Sequence, residues 1–301
     1  MVDYSTPAAF ESAIREAARS SLLDTNRAIE LFWRDRFLNR VFVGGDDEFV
    51  LKGGLSILAR INSRYTRDID LAARDDDIKY AETRLIDLAS IDLDDYFVFD
   101  YQESSAIRLD DEYRIGRRVS FGVSIGGQRK GILQIDLVVG CNPVGEPELL
   151  VPKQRLDIKG LKAVAYHLYP LEDTISDKVC AIIQQYPGNR PSSRVKDLVD
   201  LVIIVTTCVL NPITLSTALN SEARQRGITL NNGFNIPSEW LDYSYQAAYN
   251  RLASEAGITD GLSDMKQADA LVKKVVDPLI VNELKLGAWN PMSLVWEQDN
   301  L

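Results

Sequence analysis

From residue 49 to residue 70 the chain reads FVLKGGLSILARINSRYTRDID, and this stretch constrains the fold more tightly than any other. Residues 49–52 are strand formers, Gly53-Gly54 breaks the run, residues 55–61 carry helical spacing, and residues 69–73 return to strand character. Side chains at i and i+2 of a strand share a face, so Asp68 and Asp70 stand side by side while Ile69 and Leu71 turn into the core. Adjacent carboxylates repel, and the pair is tolerated where a hard divalent cation lies between the oxygens, as Mg²⁺ does with one or two carboxylates and substrate phosphates. Gly53-Gly54 leading into a helix lets backbone N–H groups approach a triphosphate, with the positive end of the helix dipole behind them. The combination points to nucleotidyl transfer. Two such carboxylates also occur on ordinary exposed strands, but the glycine pair at this spacing argues against that reading.

The rest of the chain extends the pattern. Residues from about 6 to 39 read as helix, with Pro7 at its start and Ala28, Leu31, Phe32, Phe37 and Leu38 as an apolar stripe. Residues 80–89 are helical, and YFVFDY, RVSFGVSIG and GILQIDLVVG follow as strands. Strand, helix and further strands in this order predict an α+β fold, a mixed sheet flanked by helices. After about residue 152 the pattern becomes helical: 171–185, ended by Pro187-Gly188; 193–209, ended by Asn211-Pro212; then 237–256 and 265–284, and a Trp-containing tail. Two domains are expected, 1–150 and 151–301.

In GILQIDLVVG, Leu133, Ile135, Leu137 and Val139 alternate with Gln134, Asp136 and Val138. Asp136 therefore projects where Asp68 and Asp70 do, as a third metal carboxylate; otherwise it is a surface aspartate on a half-exposed strand. Gly53 and Gly54 shape a phosphate-binding turn to which Lys52 and Ser56 can add contacts, although Lys52 equally suits a strand end facing solvent. Lys178 lies beside the apolar stripe of its helix, where a compact cation on a long stem suits a triphosphate oxygen or a wet helix face. Asp197 and Asp200, at i and i+3, share one side of the next helix, and Arg190 and Arg194 offer forks to phosphates or form surface salt bridges.

The net charge of −10 argues at first against a nucleic-acid partner, but residues 151–301 carry only −2 of it. The acid gathers in surface-like clusters, Asp75-Asp76-Asp77 and Asp92, Asp94 and Asp95, while Arg60, Arg64, Arg67, Arg74, Lys153, Arg155, Lys159 and Lys162 form a basic groove or a solvated face. Three cysteines far apart in sequence read as reduced thiols, not as a disulfide frame or zinc site. The one histidine, His167, reads as packed, and Trp240, Tyr243, Tyr245, Tyr249 and Trp289 read as core before base-stacking platform. No apolar run approaches the roughly 20 residues of a membrane span, and the acidic, polar N-terminus is unlike a signal peptide, so a cytoplasmic protein is expected.

The order Lys52-Gly53-Gly54, Arg64, Thr66, Asp68-Ile69-Asp70, preceded by FWRDRFLNRVF and followed by LEDTISDKVCAIIQQ and RVKDLVDL, resembles the AbiEii/AbiGii toxin family over roughly residues 25 to 210. This is a branch of the polymerase β-like nucleotidyltransferases that includes the MenT toxins of mycobacteria. The resemblance implies a polymerase β-like sheet with a mostly helical C-terminal domain, and a type IV toxin–antitoxin system with a cognate antitoxin. It further implies Mg²⁺ or Mn²⁺ with a nucleoside triphosphate, and transfer of the nucleoside monophosphate to the 3′ acceptor end of tRNA; the oligomeric state is left open, with a monomer favoured. By resemblance, Lys178 matches the lysine needed for activity and Asp197 an essential aspartate that positions Lys178 or an arginine. The same metal centre could instead modify a protein hydroxyl or a small molecule, and a binding module that only senses nucleotide is the rival outside enzymes. Thr66, two residues before Asp68, is a position where a phosphate would block nucleotide entry.

Overall fold

The computed structural model describes residues 3–44, 47–61, 63–107, 114–230, 233–259, 261–281 and 286–297. The chain forms two compact units, one from Met1–Arg60, Thr66–Cys141 and Pro147–Leu168, the other from Ile61–Tyr65, Asn142–Glu146 and Tyr169–Leu301.

The first unit opens with α1 (Pro7–Ser20), whose N-cap Thr6 accepts the Ala9 amide at 3.2 Å. The single helix expected over 6–39 is in fact two. Asp24 accepts the amides of Asn26 and Arg27 at 3.0 and 3.1 Å, and this cap starts α2 (Thr25–Gly44) afresh. Then come β1 (Phe49–Lys52), α3 (Gly53–Arg60), β2 (Ile69–Ala73), α4 (Ile78–Ala89), β3 (Phe97–Ile107), β4 (Ile115–Ile125), β5 (Gln128–Val139), β6 (Glu148–Leu150) and β7 (Tyr166–Leu168). The seven strands make one mixed sheet in the order β3-β4-β5-β2-β1-β7-β6, with β2 parallel to β5, β1 parallel to β7 and the other pairs antiparallel. β6 and β7, three residues each, were not anticipated; they complete this sheet, so the expected boundary at residue 150 falls within the first unit.

Strand alternation divides the sheet's chemistry. Ile69, Ile135 and Val119 align across β2, β5 and β4 and are fully buried. The core they join includes Phe37, whose ring lies 5.4 Å from Phe99 and 5.1 Å from Phe121. One residue on, the side chains point to the opposite face, and there the aligned residues are charged.

The C-terminal half of α2 buries charge as well. Arg36 and Arg40 each reach Asp95 at 2.7 Å, and Arg40 also donates to the Phe97 carbonyl. Asp95, expected in a surface cluster, is wholly buried. Burial pushes its carboxyl up, yet the two guanidiniums outweigh that and hold it below the usual carboxylate range. Asp35 is held by Arg155 at 2.9 Å and by the Tyr166 hydroxyl, which donates at 2.6 Å and so ties α2 to β7.

The second unit is helical: α5 (Leu171–Ile183), α6 (Val195–Val205), α7 (Pro212–Gln225), α8 (Tyr243–Glu255) and α9 (Met265–Ile280), closed by a hairpin of β8 (Ala288–Asn290) and β9 (Val295–Glu297). α7 was not anticipated. Asn211-Pro212, read as the stop of α6, is the start of α7: Asn211 accepts the amides of Ile213 and Thr214, and Pro212 takes the first turn. The expected continuation of the last helix over 282–284 lies outside the described residues. Trp240, Tyr249 and Trp289 are core, with the Trp289 indole donating to the Val205 carbonyl at 2.6 Å, whereas Tyr243 is exposed.

Candidate active site

On the charged face of the sheet, Lys52 of β1 pairs with Asp70 of β2, Asp70 with Asp136 of β5, and Asp136 with Arg118 of β4. Directly paired residues share a face, so one rung across four strands carries Lys52, Asp70, Asp136 and Arg118. Asp68 lies one residue before β2 and is exposed; Asp70 is half-buried. The fork of Arg118 closes on Asp136, Nε donating to Oδ1 and Nη2 to Oδ2, both at 2.7 Å. This hydrogen-bonded pairing with Asp136 holds the Arg118 guanidinium above its ordinary pKa, and Asp68 and Asp70 act in the same direction. Arg118 was missed by sequence reading. Its signal was the polar phase of RRVSFG, but that phase acquires meaning only once β4 is known to lie beside β5.

Gly53 is required by the turn twice over. Its φ of +65° is left-handed, and a Cβ there would collide with the Asp70 carboxylate. The glycine thus lets the backbone entering α3 lie against an acid on the next strand. Gly54 is buried in the first turn of α3. Ser56, fully buried, donates its hydroxyl to the Gly53 carbonyl at 2.9 Å and so braces the turn from inside. Lys52 is buried rather than facing solvent, its Nζ 3.5 Å from Cys141 Sγ.

Among the described residues no group of three or more His, Cys, Asp or Glu side chains is placed to hold a metal ion. Asp136 shares the rung with Asp70, but Arg118 occupies both its oxygens. Asp68 and Asp70 supply hard oxygen donors, and Asp70 lies against the Gly53 backbone, a donor set that fits a small divalent cation carrying substrate phosphates.

In the second unit Lys178 of α5 is buried, its ammonium donating to Asp197 and Asp200 of α6, each at 2.8 Å. Asp200 is fully buried and also accepts the fork of Arg64 at 2.8 and 2.9 Å. Burial pulls the lysine down, but Asp197 and Asp200 outweigh it and hold Lys178 above its usual pKa. Burial pushes Asp200 up, but Lys178 and Arg64 outweigh it and hold that carboxyl low. Arg194, at the N-terminus of α6, lies 3.8 Å from Asp197, and Arg190 is exposed with Nε on the Pro187 carbonyl at 3.0 Å.

The expected basic groove shrinks under the same scrutiny. Arg60, Arg64 and Arg155 are tied to Glu148, Asp200 and Asp35. Arg67, Arg74, Lys153, Lys159 and Lys162 remain exposed. Thr66 is buried, so its hydroxyl is not presented to a modifying enzyme in this conformation. His167 is packed against Phe42 and bonds Asp47 at 2.8 Å.

The rung of Lys52, Asp70, Asp136 and Arg118 sits on a seven-stranded mixed sheet flanked by helices, and the family that the chain matches makes it a nucleotidyltransferase. The chain belongs to the AbiEii family of nucleotidyltransferase toxins of type IV toxin–antitoxin systems, which it matches over residues 36–274. Its fold is similar to that of MenT4, a nucleotidyltransferase toxin from Mycobacterium tuberculosis H37Rv, with 17% identity, 91% of this chain and 90% of that chain covered, and a TM-score of 0.56. JHP933 from Helicobacter pylori is 13% identical over 84% of this chain and 90% of its own, with a TM-score of 0.41. No curated protein matches the chain. Membership of a toxin–antitoxin family implies a cognate antitoxin as partner. No helix among the described residues is long and apolar enough to cross a membrane.

Proposed function

We propose that this toxin takes a nucleoside triphosphate with Mg²⁺ or Mn²⁺ and moves the nucleoside monophosphate onto the 3′ acceptor end of tRNA. The observation that carries the reading is the placement of Asp70 against Gly53, which sets a carboxylate beside the glycine turn that leads into α3. Asp68 and Asp70 hold the cation, with Asp136 as third carboxylate once Arg118 releases it. A divalent cation held there stabilises charge on the transferring phosphoryl group and on the leaving pyrophosphate. Gly53 and Gly54 bring backbone to the triphosphate, while Lys52 and Ser56 fix the turn. The acceptor hydroxyl oxygen bonds to the α-phosphorus, the α–β bridging bond breaks, pyrophosphate departs with the electron pair and the hydroxyl proton is released. Lys178 and Asp197, nominated by the family pattern, serve as a positioned ion pair, and Arg190 and Arg194 meet phosphates of the acceptor. The tRNA acceptor follows from the resemblance to the mycobacterial toxins of this family.

The test is incubation with each labelled nucleoside triphosphate, Mg²⁺, and either intact tRNA, tRNA lacking its 3′ end, or a total protein pool. Label in intact tRNA alone is the expected result. Label in protein with no RNA product overturns the tRNA assignment and favours modification of a protein hydroxyl.

A further inference from the structure

Arg118 has the geometry of an anchor without the setting of one. Its fork satisfies both oxygens of Asp136, yet 44% of its side chain is exposed, and Asp136 is itself 21% exposed. An ion pair that water reaches contributes little to folding. What distinguishes this guanidinium is its company: it is bonded to one carboxylate of the rung and lies within electrostatic reach of Asp68 and Asp70. The fork takes about two of the roughly four lone-pair sites of Asp136 and sets a positive charge against the carboxylate, so a divalent cation approaching Asp136 binds against like charge and gains by displacing the fork. The freed fork, in turn, matches the oxygens of a phosphate.

We propose that Arg118 is the resident counter-ion of the carboxylate rung: it competes with the divalent cation for Asp136 and transfers to the triphosphate when nucleotide arrives. The proposal rests on the nucleotidyl-transfer reading above. Cation and nucleotide are then coupled through one side chain. The cation alone binds against Arg118, whereas nucleotide draws Arg118 away and strengthens cation binding, and by linkage the cation strengthens nucleotide binding equally. An idle site keeps its three acids partly neutralised without holding a metal ion.

The test is Mn²⁺ binding, read from the free-ion paramagnetic resonance signal, with and without a non-hydrolysable nucleoside triphosphate analogue. It compares wild type, Arg118→Met, Arg118→Lys and Asp68→Ala, each checked for fold by circular dichroism. Arg118→Met should bind Mn²⁺ alone about tenfold more tightly, the scale of one charge-assisted hydrogen bond removed from the competition. In the same variant the gain on adding nucleotide should shrink and KM for the triphosphate should rise. Arg118→Lys, which keeps the charge but not the fork, should fall between. A residue with a merely structural role would move Mn²⁺ affinity down or not at all. Unchanged or weaker Mn²⁺ binding in Arg118→Met, with the wild-type response to nucleotide, overturns the counter-ion role and leaves the reaction assignment standing. Identical Mn²⁺ binding by wild type and Asp68→Ala, with and without nucleotide, overturns the metal site and the proposal with it.

Discussion

Arg118 and Arg64 each grip an aspartate through Nε and Nη2, Arg118 at 2.7 Å to both oxygens of Asp136 and Arg64 at 2.8 and 2.9 Å to those of Asp200. The bonds are nearly the same and the settings are opposite. The Arg118 side chain is 44% exposed, while that of Arg64 is 10% exposed and Asp200 is fully buried with Lys178 as a third partner. In water, exchanging one cation for another at a carboxylate costs little, so the first pair can open for a ligand. In the interior, removing one member strands the others without solvent. Geometry alone therefore does not separate a site from a scaffold; burial and the number of compensating partners do.

The comparison breaks most visibly at the exposed rung. Asp68→Ala or Asp70→Ala should lower transfer by about a thousandfold or more, since a metal-bound phosphoryl group loses several kcal/mol of charge stabilisation. In the exposed Asp68→Ala variant thermal stability should hold or rise, because a neighbouring like charge is gone. Variants that keep wild-type turnover, or that lose it only by unfolding, refute the assignment.

The buried network should respond in the reverse sense. Asp200→Ala takes from the interior the acid that Lys178 and Arg64 share, leaving Asp197 alone to face the Lys178 ammonium, and should cost about 3–5 kcal/mol in urea unfolding. Its pH dependence has a definite sign. The folded carboxyl of Asp200 is held below its unfolded value, so its stabilisation is present above the unfolded pKa of about 3.9 and fades as pH falls through the folded one. Lys178 is held above its unfolded pKa of about 10.4, so its contribution is present below that pH and fades as pH rises through the folded value. Asp200→Asn should therefore flatten the acid limb of the stability curve, and Lys178→Met the alkaline limb. Unchanged limbs in both variants would show that the network contributes nothing to folding.

Gly53→Ala joins the two behaviours at one position. The left-handed φ should cost about 1 kcal/mol or more, and the new Cβ must displace the Asp70 carboxylate. Turnover should fall further than stability does. Equal activity in the variant would mean that Asp70 need not sit where the structure places it.

How much of this was legible beforehand follows from the range of the interactions. The glycine turn, the Asp68/Asp70 spacing and the phase of Asp136 are local, and strand periodicity carries them; the α5 and α6 helices around Lys178 and Asp197 were found for the same reason. Arg118 was invisible because its role depends on β4 pairing with β5, and Asp95 passed for a surface acid because Arg36 and Arg40 stand 59 and 55 residues away. β6 and β7 are too short to carry a period. Asn211-Pro212 was read as a stop because the same residue pair both terminates one helix and caps the next.

The smallest expected effect concerns the acceptor. Arg60, Arg64 and Arg155 already neutralise carboxylates within the protein, so of the eight basic residues expected in a groove only the exposed Arg67, Arg74, Lys153, Lys159 and Lys162 are left to displace counter-ions from an RNA backbone. Binding of tRNA should accordingly show a shallower salt dependence than eight free cations would give, and exposed Arg190 is the side chain to test. Arg190→Ala should weaken tRNA binding only several-fold and reduce the log–log salt slope by about 1, as expected for one phosphate contact. Mn²⁺ affinity should stay at the wild-type value, because among the described residues the Arg190 guanidinium donates to the Pro187 carbonyl and to no carboxylate. A steep slope that Arg190→Ala leaves untouched would mean that the RNA is held elsewhere, by exposed cations such as Lys159 and Lys162. The contrast between cations spent inside the fold and cations left for partners would then have to be redrawn around that surface.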